Sequence, residues 1–185
     1  MMRGISFVRI WRAQGLNEIP KAEDEKRPYF AYGSNLWLDQ MRTRCPSHKR
    51  LGTAVLSGHR VVCNKVGDNG VDFYAGIIVS PRDEVLGALY QLTPQDIKKL
   101  DKREGIEEKD HYYRDAKEFN VRNRATGVVI NAFTYFVSKP VAPKKPTRDY
   151  AQKIFEGCRH HGFPKEYVKN LERWFLMDSE TPQGC

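Results

Sequence analysis

Two stretches of this chain combine residue types that could do chemistry: Tyr32-Gly33-Ser34-Asn35, and Glu104 within Leu100-Asp101-Lys102-Arg103-Glu104-Gly105. A glycine after a short aromatic run lets several backbone N–H groups converge, and the Ser and Asn side chains add short-range donors. Such a loop can hold a carboxylate or a developing oxyanion, although the same tetrapeptide is ordinary turn chemistry. Glu104 falls at a predicted helix end, just before a glycine. The negative end of the helix dipole disfavours ionisation there. Burial would raise its pKa further, as a general base for an amine requires. Solvated glutamates are the commoner outcome at helix ends. An inward-pointing Arg103 would oppose the effect, but exposure is the expectation for it.

Other reactive residue types do not assemble into a site. His48, His59, His160 and His161 have no Cys or Asp at metal-binding spacing and read as surface or packing residues. His111, beside Tyr112, reads the same way. Cys45, Cys63, Cys158 and Cys185 form no C-x-x-C pair, so a zinc site or a dense disulfide framework is not expected. Cys63 lies in an apolar run and reads as core. Asp68, Asn69, Gly70 and Asp72 lack the full calcium-loop pattern, and the hairpin turn is preferred. Trp37 is placed near the Gly33 loop, and Trp174 is assigned to packing of the last helix.

The elements that must position these groups follow from pattern. Tyr29 to Tyr32 reads as a strand and Leu36 to Arg44 as a short helix stopped before Pro46. Thr53 to Val79 reads as strands turning at Asn69-Gly70, and Val85 to Leu92 as a separate strand. Thr93 is a plausible N-cap with Pro94 at the first helical position. The helix from Pro94 to Arg103 stops at Gly105, with Leu92, Ile97 and Leu100 as its inward stripe. His111 to Val121 and Val128 to Val137 read as two more strands. Helices are expected from Thr147 to His161 and from Pro164 to about Leu176. The sum is an α+β arrangement, with a mostly antiparallel β core and peripheral helices.

The bulk properties narrow the class. A chain of 185 residues suits one domain, with boundaries expected at 1–27 (extension), 28–177 (domain) and 178–185 (tail). No apolar run reaches the roughly 20 residues of a membrane span. The net charge of +8 would suit phosphates, but acids are interspersed and no RNA-binding motif is present, so neither nucleic acid nor membrane is expected as a partner. A cytoplasmic location is expected. The basic first 17 residues resemble a short transit segment, with a loosely held extension preferred.

Taken together, the two stretches resemble the γ-glutamylcyclotransferase family. Tyr29-Phe30-Ala31-Tyr32-Gly33-Ser34-Asn35-Leu36 looks like its opening signature, and Leu100-Asp101-x-x-Glu104-Gly105 like the segment holding its catalytic glutamate. Ser80 to Gly87, Pro146 to Tyr150 and Gly162 to Tyr167 are similar to further family passages, in order and at similar spacing. The resemblance implies a closed mixed β-barrel with flanking helices, no metal and no cofactor. It implies Glu104 as acid/base, and Tyr29, Phe30, Ala31, Tyr32, Gly33, Ser34 and Asn35 around the substrate, with Tyr150. Tyr112 or Tyr113 fills a further position, Tyr112 being preferred. The implied partners are a small γ-glutamyl substrate and, in the assembly, a second copy in a homodimer.

The implied reaction needs no protein nucleophile. The substrate's own α-amine attacks its γ-carbonyl, closes a five-membered ring and releases 5-oxoproline and a free amine or amino acid. Glutathione, a γ-glutamylamine or another γ-glutamylated metabolite are alternative substrates. A non-catalytic carboxylate-binding module is an alternative of a different class.

Overall fold

The structure is a computed structural model that describes residues 25–106, 112–114 and 119–176. The transit-like segment, the C-terminal tail with Cys185, and His111 with its loop 107–111 lie outside the described residues.

A long hairpin dominates. Strand β2 (Lys49–Val66) runs antiparallel to β3 (Phe73–Leu92). The turn between them forms as its sequence demands: Asn69 Oδ1 accepts from the N–H groups of Val71 and Asp72, each at 3.0 Å, and Gly70 adopts φ 71°. The separate strand expected at Val85 to Leu92 is instead the second half of β3. Ser57 pairs with Glu84 and His59 with Val79, so Gly58 faces the four residues Ser80 to Asp83. Gly58 takes the left-handed φ of 75° that this bulge requires. Arg60 clasps Asp83 at 2.6 Å, and Ser80 donates to the same carboxylate. The proline-containing segment therefore bends the strand without ending it.

Strand β1 (Arg27–Ala31) adds to β3, with Tyr29 opposite Tyr90. β5 (Phe119–Asn123) adds to β2, and β6 (Val129–Ala132) to β5. The order is β1-β3-β2-β5-β6, and every ladder is antiparallel. A second sheet pairs β4 (Tyr112–Arg114) with β7 (Tyr135–Val137). The two expected strands at 111–121 and 128–137 are thus each divided between sheets.

The closed barrel implied by the resemblance is not shown: the described residues pair as two sheets. Among the described residues, β1 is joined to the segment just after β6 by a parallel bridge between Tyr29 and Phe133 and by the Thr134 hydroxyl, which donates to the Phe30 carbonyl (2.8 Å). There Phe30 N–H donates to the Phe133 carbonyl (2.9 Å) and Phe133 N–H to that of Pro28 (3.0 Å).

Among the described residues, four helices flank the sheets: α1 (Leu38–Arg44), α2 (Pro94–Glu104), α3 (Arg148–His160) and α4 (Lys165–Leu176). α2 is capped by Thr93, whose side chain accepts the Asp96 N–H, and it ends at Gly105 with φ 69°. Ile97 and Leu100 point inward, as their spacing requires. Between β1 and α1 lies a 3-10 turn, Ser34–Leu36. α3 rides so close to it that a Cβ on Gly157 would sit 2.5 Å from the backbone carbon and Cβ of Leu36. Trp174, assigned to packing of the last helix, is half-exposed, with the Arg60 guanidinium 5.3 Å from its ring. Cys45, Cys63 and Cys158 are buried free thiols, each pushed up to about 12 by burial. They are poorly suited to act as nucleophiles.

Candidate active site

β1 delivers an aromatic run to the cleft and stops at Ala31, where the 3-10 turn redirects the chain. α2 delivers Glu104 as its last residue. Between them lies a cleft of about 440 Å³ lined by Tyr29, Tyr32, Gly33, Ser34, Asn35, Tyr112 and Tyr150, with Glu104. Phe30 and Ala31 do not line it. Both are fully buried, and Phe30 turns its ring onto Gly87 of β3, where a Cβ would lie only 2.4 Å from the ring. Alternation along a strand sends Phe30 to the face opposite Tyr29. The same rule separates the next pair: Tyr112 lines the cleft, while Tyr113 is exposed and stacks on Phe136 at 5.6 Å.

Asn35 is the hub. Its Nδ2 donates to the Tyr29 hydroxyl (2.9 Å) and to Glu104 Oε1 (3.2 Å). Its Oδ1 accepts from Arg44 Nη1 (2.8 Å) and Gln40 Nε2 (3.1 Å). A guanidinium only donates, so Arg44 fixes the orientation of the amide. Gln40 Nε2 also reaches Ser34 Oγ at 2.8 Å, tying the loop to α1.

Glu104 is 13% exposed at its side chain and receives Arg44 Nη1 at 3.4 Å, again on Oε1. No hydrogen bond to Oε2 from a described residue is seen. Burial raises the Glu104 pKa above the ordinary carboxylate range. Arg44, the Asn35 amide and Lys65 pull against that rise, and Asp101 adds to it. Arg103, the residue singled out in sequence as a possible modulator, is exposed at the cleft mouth; the guanidinium that reaches the carboxylate belongs to Arg44.

The tyrosines are committed to structure. Tyr32 donates to the Tyr135 carbonyl (2.6 Å), Tyr135 to Asp101 (2.7 Å), and Tyr112 to the Ala75 carbonyl (2.7 Å). Tyr150 accepts the Ala75 N–H at 3.1 Å. Burial raises the pKa of Tyr29, Tyr32, Tyr112, Tyr135 and Tyr150, so these hydroxyls stay neutral at physiological pH. A Cβ on Gly33 would make only ordinary van der Waals contact, 3.4 Å from the Ala75 Cβ and 3.5 Å from the Tyr150 hydroxyl, so the glycine leaves a gap between loop and tyrosine.

The sequence reading passed over Gln40, Arg44, Lys65, Tyr74 and Tyr135, all of which line the cleft. Arg44 had a signal, since it closes a short helix that begins just after the Gly33 loop. Tyr135 had none, because its hydroxyl contact with Asp101 spans separate elements. Trp37 does not line the cleft, but its ring carries the Lys153 ammonium at 5.6 Å, and Lys153 does. Among the histidines, His161 is buried and His160 exposed; His48 packs its ring 5.2 Å from that of Tyr90.

Comparison with known proteins follows the same lines. The AIG2-like family profile matches residues 84–171, which contain Glu104. The γ-glutamylcyclotransferase of Homo sapiens is 26% identical over 162 residues, covering 85% of this chain and 84% of that protein. That of Bos taurus is 28% identical over 170 residues, covering 85% and 83%. A solved γ-glutamyl cyclotransferase structure superposes with a TM-score of 0.74 at 25% identity, covering 87% of this chain and 93% of its own. No described helix is long and apolar enough to cross a membrane. Profile, relatives and solved structure agree: the chain is similar to the γ-glutamylcyclotransferase and AIG2-like enzymes.

Proposed function

We propose that this protein cyclises γ-glutamyl amino acids or closely related γ-glutamyl compounds, releasing 5-oxoproline and the free amine, with Glu104 as general acid/base. The observation that carries the reading is the state of the Glu104 carboxylate. Asn35 and Arg44 hold one oxygen, and no described residue donates to the other, in a cleft whose lining includes the neutral tyrosines Tyr29, Tyr32, Tyr112, Tyr135 and Tyr150.

The substrate's α-amine arrives mostly as an ammonium. Glu104 takes a proton from it, and the freed nitrogen attacks the γ-carbonyl carbon. The tetrahedral intermediate places negative charge on the former carbonyl oxygen. The amide N–H groups opening the 3-10 turn at Ser34 and Asn35 precede its first intrahelical bond, Leu36 N–H to Gly33 O at 2.9 Å. They supply donors for that oxyanion or for the α-carboxylate. The protonated Glu104 then gives its proton to the departing nitrogen as the C–N bond breaks, and the ring nitrogen loses its remaining extra proton to the released amine, which leaves as an ammonium. A raised pKa suits both halves of this exchange. Holding the substrate in its ring-closing conformer adds a proximity gain.

Incubation with a panel of γ-glutamyl dipeptides, glutathione and γ-glutamylamines, with 5-oxoproline as the readout, tests the reading. Glu104→Gln is expected to abolish turnover while retaining substrate binding. Near-normal activity in that variant, or no 5-oxoproline from any panel member with wild-type protein, would overturn it.

A further inference from the structure

Lys65 is the anomaly of the cleft. It sits in β2 opposite Tyr74, lines the cavity, and is only 6% exposed. Its ammonium has no carboxylate within ion-pair distance among the described residues. Its one hydrogen bond there is a long contact, 3.4 Å, to the carbonyl of neighbouring Val66. The Tyr74 and Tyr112 rings flank it, their centroids 5.5 and 5.4 Å from Nζ. Two aromatic faces offset part of the cost of burying a cation, but they do not replace the hydrogen bonds it made to water. Arg44, a partly buried cation of the same site, is by contrast engaged with both Asn35 and Glu104.

The surroundings argue against a purely structural role. Tyr112 and Tyr150 fix Ala75 through its carbonyl and its N–H. Tyr74 packs edge-on against Tyr150 at 5.0 Å. The wall around Lys65 is therefore rigid without the ammonium. Lys102, Arg103 and Lys153 add further positive charge to the lining, against the two acids Asp68 and Glu104.

We propose that Lys65 is a specificity-determining residue whose ammonium ion-pairs a carboxylate of the substrate, between Tyr74 and Tyr112. The inference rests on the cyclotransferase reading above. Two carboxylates could fill the role: the α-carboxylate of the γ-glutamyl group, or one carried by the leaving amine. Either forms the charge-assisted contact that Lys65 lacks.

The test compares wild-type protein with Lys65→Met on γ-glutamyl-alanine, which has both carboxylates, and on γ-glutamyl-n-butylamine, which has only the first. The expected result is a rise in KM of about ten- to hundred-fold, with kcat changed much less. A rise on both substrates assigns the pair to the α-carboxylate. A rise on the dipeptide alone assigns it to the leaving group. Lys65→Arg, which restores the charge, is expected to recover part of the loss. An unchanged KM on both substrates overturns the proposal. So does a fall in kcat alone with a displaced pH profile, because Lys65 would then act only through Glu104.

Calorimetric titration of γ-glutamyl-alanine into Glu104→Gln protein, with and without Lys65→Met, reads the contact without turnover. Equal affinities there also overturn it. Should Lys65→Met fail to fold, Lys65→Gln takes its place in both measurements. Wild-type protein that turns over no γ-glutamyl compound defeats the parent reading, whereas active wild type with an indifferent Lys65 variant defeats this one alone.

Discussion

Arg44 Nη1 lies 3.4 Å from Glu104 Oε1, and the same nitrogen lies 2.8 Å from Asn35 Oδ1. The end of α1 thus sets both the charge environment of the carboxylate and the orientation of the amide that holds it. Burial drives the Glu104 pKa up, and Arg44 is the largest influence holding it down.

Replacing Arg44 by Met is therefore expected to raise the Glu104 pKa further. A base must be deprotonated to act, so the acid limb of the pH dependence of kcat/KM moves to higher pH. Activity at neutral pH falls, and raising the pH recovers part of it. An acid limb left in place, or moved to lower pH, contradicts the assignment of Glu104 as the titrating base.

Gly157 offers a test at a distance. A methyl group there would collide with Leu36, inside the 3-10 turn that carries Ser34 and Asn35. Gly157→Ala is expected to cost about 1–3 kcal/mol of stability, as overpacking does. It is also expected to lower kcat/KM, because the turn must shift to admit the methyl. Denaturant unfolding and steady-state kinetics check the two effects; full stability with full activity would show that the contact relaxes freely.

His161 predicts a stability profile. Its Nε2 lies 3.1 Å from both the Leu36 carbonyl and the Tyr90 hydroxyl, and a carbonyl only accepts, so Nε2 carries the proton. Burial lowers its pKa from 6.5 to about 4, and Arg50 and His160 push the same way. The native state thus resists a proton that the unfolded chain accepts. Stability from this group is lost as pH falls from about 6.5 towards 4. His161→Gln, which keeps a donor, is expected to flatten that part of the melting-temperature profile. An identical acid slope in the variant would remove His161 from the account.

Much of the local structure was legible because short-range rules govern it. Thr93-Pro94 with Gly105 bounded α2 through its unpaired end groups, and Asn69-Gly70 set the hairpin turn. The position of Glu104 at the helix end was recognisable for the same reason, although the helix was expected to run only to Arg103 and includes Glu104. The closed barrel and the separate strand at Val85 were not. Whether Ser80 to Asp83 ends a strand or bulges out of it depends on Gly58 and Arg60 across the ladder, and whether outer strands join depends on contacts such as Tyr29 with Phe133. The local pattern at Phe30 and Ala31 likewise gave no sign that β3 would cover them.

By itself, the sequence marked the two candidate stretches, their placement at the ends of a strand and a helix, and the family to which their order points. These follow from capping, turn chemistry and residue type, which act within a few residues. Only the tertiary structure decided that Arg44 and Asn35 hold Glu104, that Tyr112 and not Tyr113 faces the cleft, and that Lys65 is buried without a carboxylate partner among the described residues. Those are matters of burial and charge between elements distant in the chain, and their energetics exist only once water has been excluded from between them.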